Sequence, residues 1–357
     1  MLINYNGRLN SAIAKQVKQA RKASFSLSRK VKNLRLPIDT HIELFHKVVL
    51  PVLLYGCEVW GYEDLEHVEV FYRNFLKRIT GMKSFTPNCI VYAETGTLNI
   101  KRLVYLRMCS YWCRILNGST HKLSYILYKV TRNLHYREET PYRSLWIEKM
   151  QNIFDQAGMT SIWDFEMEGQ SKTYVVNSLK LRLNDIAKQN LWAEINENSM
   201  CDNYRIFKNN IDLEEYLVKL NFHDSRILTK FRCRGHRLPI TANRFDKDKN
   251  TRRHLTFCTK CNGNELGDEI HYLCKCPFFD EERKKYLGKS RFPNPSVFSV
   301  RKIIDCEVNP SNFIKFIELI MSTFENDLEN ISDYNYVYKP YTTRSGREVR
   351  RPIILDV

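Results

Sequence analysis

The 357-residue sequence lacks the residue patterns that several enzyme classes need. It has no adjacent pair of aspartates, and no trio of carboxylates is suited to hold the magnesium ions of two-metal nucleotidyl transfer. It also has no glycine-rich phosphate loop, and no spacing suggests a Ser/His/Asp or Cys/His catalytic arrangement. These absences predict a chain without enzymatic activity of its own, without a magnesium site and without a small-molecule substrate.

Long hydrophobic runs and a secretory pattern are missing as well. The longest strongly apolar run, residues 48–55, is about half as long as a bilayer-spanning helix requires. The first residues do not resemble a signal peptide, because no basic head precedes a long apolar run. The 11 cysteines are an odd number scattered over a long chain, unlike a secreted disulfide scaffold. We expect a reducing compartment, the nucleus or the cytoplasm, and no membrane partner.

Positive charge is in excess over the whole chain. There are 56 Lys and Arg against 40 Asp and Glu, which gives a net charge of +16 at pH 7. An excess of this size indicates a polyanionic partner, and RNA and DNA are the commonest of these. The alternative is a charged surface that only keeps the protein soluble, so the position of the charges along the chain matters.

Helical periodicity dominates the pattern of apolar residues. Between residues 11 and 230, apolar positions recur at steps of three and four, and no internal repeat of fixed period is present. This pattern predicts a mainly α fold, an elongated array of many helices. The polar, arginine-rich residues 331–357 lack a helical stripe and are expected to form a flexible basic tail.

The first predicted helix combines an apolar stripe with an unusual set of charges. The stripe runs through Ile13, Val17 and Ala20, while no Asp or Glu occurs before Asp39. The other faces carry Lys15, Lys18, Arg21, Lys22, Arg29 and Lys30. A solvated amphipathic helix is the simpler interpretation, but a helix with so many cations and no anion favours contact with a phosphate backbone.

A second basic segment, residues 226–253, leads directly into a cluster of cysteines. It is the densest basic stretch of the chain and contains only two acidic residues after residue 226, Asp246 and Asp248. We expect its positive side chains to contact nucleic acid. The candidate residues are Arg232, Arg234, His236, Arg237, Arg252 and Arg253.

The cysteine cluster has the spacing of a structural zinc site. Cys258 and Cys261 form a Cys-x2-Cys arm, and His271 follows nine residues after the second cysteine. Zinc in small structural sites takes four nitrogen or sulfur ligands from two such arms. The fourth ligand is ambiguous. If the second arm is helical, Cys274 lies one turn after His271, whereas Cys276 can bind where the helix ends before a proline, so spacing permits either.

Several longer stretches resemble one protein family. They are LPIDTHIELFHKVVLPVLLYGCEVWGYEDL at 36–65, FLKRITGMKSFTPNCIVYAETGTLNI at 75–100, YLRMCSYWCRILNG at 105–118 and FRCRGHRLPI at 231–240, followed by the cysteine cluster. Together they resemble the part that follows the palm in reverse transcriptases of non-LTR (LINE-like, jockey-related) retrotransposons. The resemblance covers most of the chain, to about Leu287.

The resemblance implies an organisation and a role. It implies thumb-like helices in residues 1–119, a helical linker in 120–225, a basic arm with a CCHC knuckle in 226–290, a helical segment in 291–330 and the tail. In such polymerases the catalytic carboxylates lie upstream, so this part would grip template RNA, RNA–DNA hybrid or target DNA beside the polymerase portion. The last knuckle ligand of the family precedes proline, which favours Cys258, Cys261, His271 and Cys276 over Cys274.

Two other interpretations predict different behaviour. The helices and the zinc could form a structural or protein-interaction module with no nucleic-acid role, in which case the positive charge serves solubility. The chain could also be one part of a working polymerase whose catalytic part is encoded immediately upstream.

Overall fold

The computed structural model describes residues 8–31, 34, 36–139, 141–242, 256–261, 264–288, 294–304 and 310–329. Over these ranges the chain is mainly helical and contains no β-strand, so the predicted fold class is confirmed. The predicted basic tail and the two arginines Arg252 and Arg253 lie outside the described residues.

The described residues form eighteen α-helices and four short turns of other helix types. The α-helices are α1 Asn10–Val31, α2 Ile38–Leu44, α3 Leu50–Leu53, α4 Cys57–Trp60, α5 Glu66–Thr80, α6 Asn88–Glu94, α7 Lys101–Leu116, α8 Leu123–Tyr136, α9 Leu145–Gln156, α10 Thr160–Asp164, α11 Lys172–Glu197, α12 Tyr204–Phe207, α13 Tyr216–Lys219, α14 Phe222–Arg232, α15 Pro239–Ala242, α16 Asp280–Leu287, α17 Val297–Ile304 and α18 Pro310–Glu329. The other turns are the π-turns Phe45–Val49 and His271–Lys275 and the 3₁₀-turns Ser199–Cys201 and Pro277–Phe279.

Helix α1 follows the apolar stripe that the sequence predicts. Ile13, Val17 and Ala20 are buried, and the helix lies against α3 and α5. The helix ends at Val31, and Leu34 beyond it is 61% exposed instead of continuing the stripe. The cationic faces of α1 therefore point away from the core.

A π-turn, Phe45–Val49, separates α2 from α3, which carries Pro51. The N–H of Leu50 bonds to the carbonyl of Phe45, which closes a π-turn immediately before the proline. Because proline has no N–H for the helical hydrogen-bond ladder, the bonding pattern changes here, while the helical run continues from Ile38 to Leu53. Farther on, a Cβ on Gly61 would lie 2.5 Å from Val104 Cγ1, so only glycine allows α4 and α7 to approach this closely.

The centre of the helical array is built from large aromatic side chains. The ring of Trp112 lies 5.1 Å from that of Phe154 and 5.2 Å from that of Trp163, and all three residues are fully buried. Buried hydrophobic residues from Leu9 to Phe324 form one cluster. The division into five units stays a prediction, although this cluster continues across the expected boundaries. Among the described helices, none combines the length and apolarity needed to cross a membrane.

Candidate metal centre

The first arm of the cysteine cluster is a short hairpin. The N–H of Cys258 donates to the carbonyl of Glu265 (2.8 Å), and that of Gly267 donates to the carbonyl of Thr256 (2.9 Å). These bonds turn the chain back on itself, so Cys258 lies beside Glu265 where the hairpin closes. The N–H of Lys260 also points at the sulfur of Cys258 (3.4 Å), a contact that favours the thiolate form.

The second arm is a π-turn, not an α-helical turn. It spans His271–Lys275, and the N–H of Cys276 donates to the carbonyl of His271 over 2.7 Å. A π-turn closes its hydrogen bond over five residues instead of four, so the residue that returns to the position of His271 comes later in the chain. The wider turn places the side chain of Cys276 beside that of His271.

Four side chains meet between the two arms. The ligand atoms of Cys258, Cys261, His271 and Cys276 all lie within 4.8 Å of one another. The sulfurs of Cys258 and Cys276 are 3.9 Å apart, and Nε2 of His271 is 3.5 Å from the sulfur of Cys261. With zinc–sulfur bonds of about 2.3 Å, the edges of a tetrahedral site are about 3.8 Å long. The cluster can hold a metal ion, and its geometry is compatible with zinc.

The spare cysteine lies inside the protein core. Cys274 is fully buried, and burial raises the pKa of its thiol to about 11. It does not belong to the group of four ligand atoms. The structure therefore separates two cysteines whose spacing alone left them equivalent.

Neighbouring side chains hold both arms in position. Nδ1 of His271 lies 3.1 Å from a carboxylate oxygen of Glu265, which leaves Nε2 facing the three sulfurs. A carboxylate in this position orients a metal-binding imidazole. The buried guanidinium of Arg283 donates to the carbonyls of Leu273 (2.9 Å) and Cys276 (3.0 Å), so it fixes the end of the π-turn.

His236 and Arg234 anchor the second arm, which corrects their predicted role. Nε2 of His236 lies 2.8 Å from the buried carboxylate of Glu269, and Arg234 Nε lies 3.5 Å from the same oxygen. Burial alone would raise the pKa of Glu269, but the adjacent imidazole and guanidinium lower it to about 2. His236 is buried and the Arg234 side chain is only 12% exposed. The prediction of direct nucleic-acid contact is wrong for His236, and Arg234 is largely occupied inside the protein.

Arg232 is also unavailable at the surface. It is 1% exposed, and its Nε donates to Glu94 over 2.8 Å while its terminal nitrogen donates to Glu214 over 2.8 Å. The hydroxyls of Tyr204 (2.8 Å) and Tyr216 (2.6 Å) complete the shell of Glu94. A buried guanidinium needs such partners because its desolvation is costly. Its predicted contact with nucleic acid is therefore wrong.

The remaining predicted contact residues that the structure describes are exposed. They are Lys15, Lys18, Arg21, Lys22, Arg29, Lys30 and Arg237. Within the described part of the chain, the six cations of α1 form no ion pair with a carboxylate.

Arg237 lines a polar pocket of about 230 Å³ together with Lys83 and Lys230, and Glu325 supplies one negative charge there. Lys83 was missed in the sequence because it stands alone in the loop after α5. Its proximity to the basic arm depends on the tertiary fold.

Comparison with protein-family models, with curated proteins and with solved structures found no match for this chain.

Proposed function

We propose that this chain is a nucleic-acid-binding region of a non-LTR retrotransposon reverse transcriptase, separate from the polymerase active site. It grips template RNA, RNA–DNA hybrid or target DNA. The observation that carries the proposal is the exposed cationic surface of α1, where six Lys and Arg side chains face no described carboxylate. Unpaired surface cations are free to replace the counterions of a phosphate backbone.

The spacing of the α1 cations suits a duplex. Lys15, Lys18, Lys22 and Arg29 lie within one face of the helix, opposite the buried Val17. At about 1.5 Å per residue, the distance along the helix from Lys15 to Arg29 is about 21 Å, enough to follow several phosphates. Such contacts hold the nucleic acid in place without reading its sequence.

The basic surface extends from α1 toward the metal centre. Arg78 of α5 donates to Ser24 of α1 over 3.1 Å. At the end of α5, a Cβ on Gly81 would lie 2.5 Å from Nε of Arg226, so that arginine lies directly over the turn. Lys83, two residues after Gly81, lines the same pocket as Arg237. Cations of α1, of α5 and the loop after it, and of the basic segment 226–237 therefore lie next to one another, although they are far apart in the sequence.

The metal of the CCHC cluster is proposed to be Zn²⁺ with a structural role. Three sulfurs and one imidazole nitrogen fill a tetrahedral shell, so no coordination position is left for a substrate or a reactive water. When bound, the ion would cross-link the hairpin to the π-turn. Its effect on nucleic-acid binding would be indirect, through the position of the adjoining basic arm.

The test is salt-dependent binding with a charge-matched control. We expect the triple variant Lys18→Gln, Lys22→Gln, Arg29→Gln to bind a labelled RNA–DNA hybrid about 10- to 100-fold more weakly than the unmodified chain, with a shallower dependence of log K on log salt. The control changes Lys180, Arg182 and Lys188 of α11 to Gln, which removes the same charge from exposed positions of another helix. Equal loss in both variants, or no binding by the unmodified chain, would contradict the proposal.

One observation favours the protein-interaction alternative. Helix α8 exposes an apolar face formed by Leu123, Ile126, Leu127 and Val130, beside a groove of about 340 Å³. A face of this kind can bind an apolar surface of another protein. A defined protein partner that is retained after nuclease treatment and is lost in Leu127→Gln, together with an absence of RNA or DNA binding, would support that function instead.

A further inference from the structure

A groove between α1 and α3 combines one aromatic ring, one cation and two amides. Its volume is about 460 Å³. On the α1 side the lining residues lie on one face of the helix. On the other side they are Pro51 of α3 and residues that follow it. The lining residues are Ala12, Lys15, Gln16, Gln19, Pro51, Val52 and Tyr55. The groove lies on the flank of the same helix whose outer face carries the cations, and none of the described residues that line it is acidic.

Tyr55 projects from a turn whose backbone carbonyls accept hydrogen bonds from neighbouring side chains. Tyr55 is 71% exposed, although its neighbours Leu54 and Trp60 are fully buried. The carbonyl of Leu54 accepts from Arg107 (3.1 Å), and the carbonyl of Tyr55 accepts from Trp60 Nε1 (3.0 Å). Gly56 follows with φ of 70°, a conformation that strains other residues. The backbone of the turn is thus held in place, and it presents a large aromatic ring to solvent.

We propose that this groove binds one unpaired nucleotide at the end of a duplex that lies along α1. The base stacks on the ring of Tyr55, the positive charge of Lys15 attracts the adjoining phosphate, and the amides of Gln16 and Gln19 hydrogen-bond to base or ribose. The absence of acidic side chains and the adjacent cations favour a polyanion over a peptide as the occupant. The inference deepens the proposed function and depends on it.

The experiment uses the full chain and two probes. One probe is a blunt RNA–DNA hybrid, and the other is the same hybrid with a short single-stranded RNA extension. For the unmodified chain we expect tighter binding of the extended probe. For Tyr55→Ala we expect about 5- to 100-fold weaker binding of the extended probe, because one stacked base is lost, and a change of less than about twofold for the blunt probe.

Two further variants make the result specific. Tyr55→Trp keeps an aromatic face and is expected to keep the preference for the extension. Tyr174→Ala, which removes a 54% exposed tyrosine from α11, is expected to change neither affinity. Because Tyr55 is exposed, circular dichroism and the melting temperature of Tyr55→Ala should match those of the unmodified chain.

The outcomes separate the inference from the proposed function. If the unmodified chain binds neither probe, the proposed function fails and this inference fails with it. If it binds both probes and Tyr55→Ala keeps the preference for the extension, only this inference is overturned. Equal weakening of both probes by Tyr55→Ala would also overturn it, because the residue would then act on the duplex.

Discussion

The role of a single charged side chain in this protein depends on partners that lie far away in the sequence. Arg232 stands in the densest basic stretch, yet it pairs with Glu94, which is 138 positions earlier. Local composition indicates a nucleic-acid contact for such a residue, but its burial leaves the side chain without access to a nucleic acid. The six cations of α1 could be predicted correctly as exposed because a single helical period places them outside the apolar stripe.

The Glu94 network should make stability depend on pH in a defined range. Burial raises the pKa of Glu94, but the charges of Arg232 and Lys208 and the hydroxyls of Tyr216 and Tyr204 outweigh that effect and lower it below its ordinary value of 4.5. A carboxylate with a lowered pKa stabilises the folded state fully above its unfolded pKa. The contribution is lost as the pH falls through the folded pKa.

We expect Glu94→Gln to reduce the free energy of unfolding at neutral pH by about 3–5 kcal/mol, because it leaves part of the Arg232 charge uncompensated. The difference from the unmodified chain should shrink as the pH falls from 4.5 through the lower folded-state pKa, where Glu94 becomes neutral in the folded protein as well. Urea unfolding over a series of pH values measures it. Glu215→Gln, at a fully exposed carboxyl, is the control and should change little. A difference that does not vary with pH would refute this account of Glu94.

At the scale of elements, the regular helices could be predicted and the irregular turns could not. The stripe of α1 and its exposed faces follow from the 3.6-residue period. The π-turn at His271–Lys275 has no comparable signal, because one extra residue per turn changes the register without changing the composition. The choice between Cys274 and Cys276 depends on that register. Spacing therefore predicted a metal site but left its fourth ligand open.

The π-turn predicts unequal effects of two matched cysteine substitutions. Cys276→Ser should lower zinc affinity by about a hundredfold or more, because it removes one of the four grouped ligands. Cys274→Ser should leave zinc affinity within a few fold of the unmodified chain, although a hydroxyl in that buried position costs some stability. Competition with a chromophoric chelator measures both affinities. The reverse order of the two effects would reject the assignment of Cys276.

At the scale of the whole molecule, the metal centre is packed into a larger hydrophobic region. The ring of Tyr272, inside the π-turn, lies 4.7 Å from Phe324 of α18 and 6.0 Å from Phe279. Helix α18 also contacts α14 and α16. The sequence could not predict these contacts, because they join residues that are far apart along the chain. We therefore expect a loss of metal to weaken the packing of residues beyond the two arms.

Removal of the metal should loosen the C-terminal part of the protein and leave α1 intact. Without the ion, no metal bond joins the sulfurs of Cys258 and Cys276, and the π-turn is held by the hydrogen bonds of Arg283 and by its packing against α18. We expect a chelator to speed amide hydrogen exchange in residues 256–288 and in α18, while exchange in α1 and α5 stays slow. Mass spectrometry resolves these peptides, and Cys276→Ser without chelator should reproduce the pattern. Uniformly faster exchange, including α1, would mean that the metal stabilises the entire core and is not a local clip.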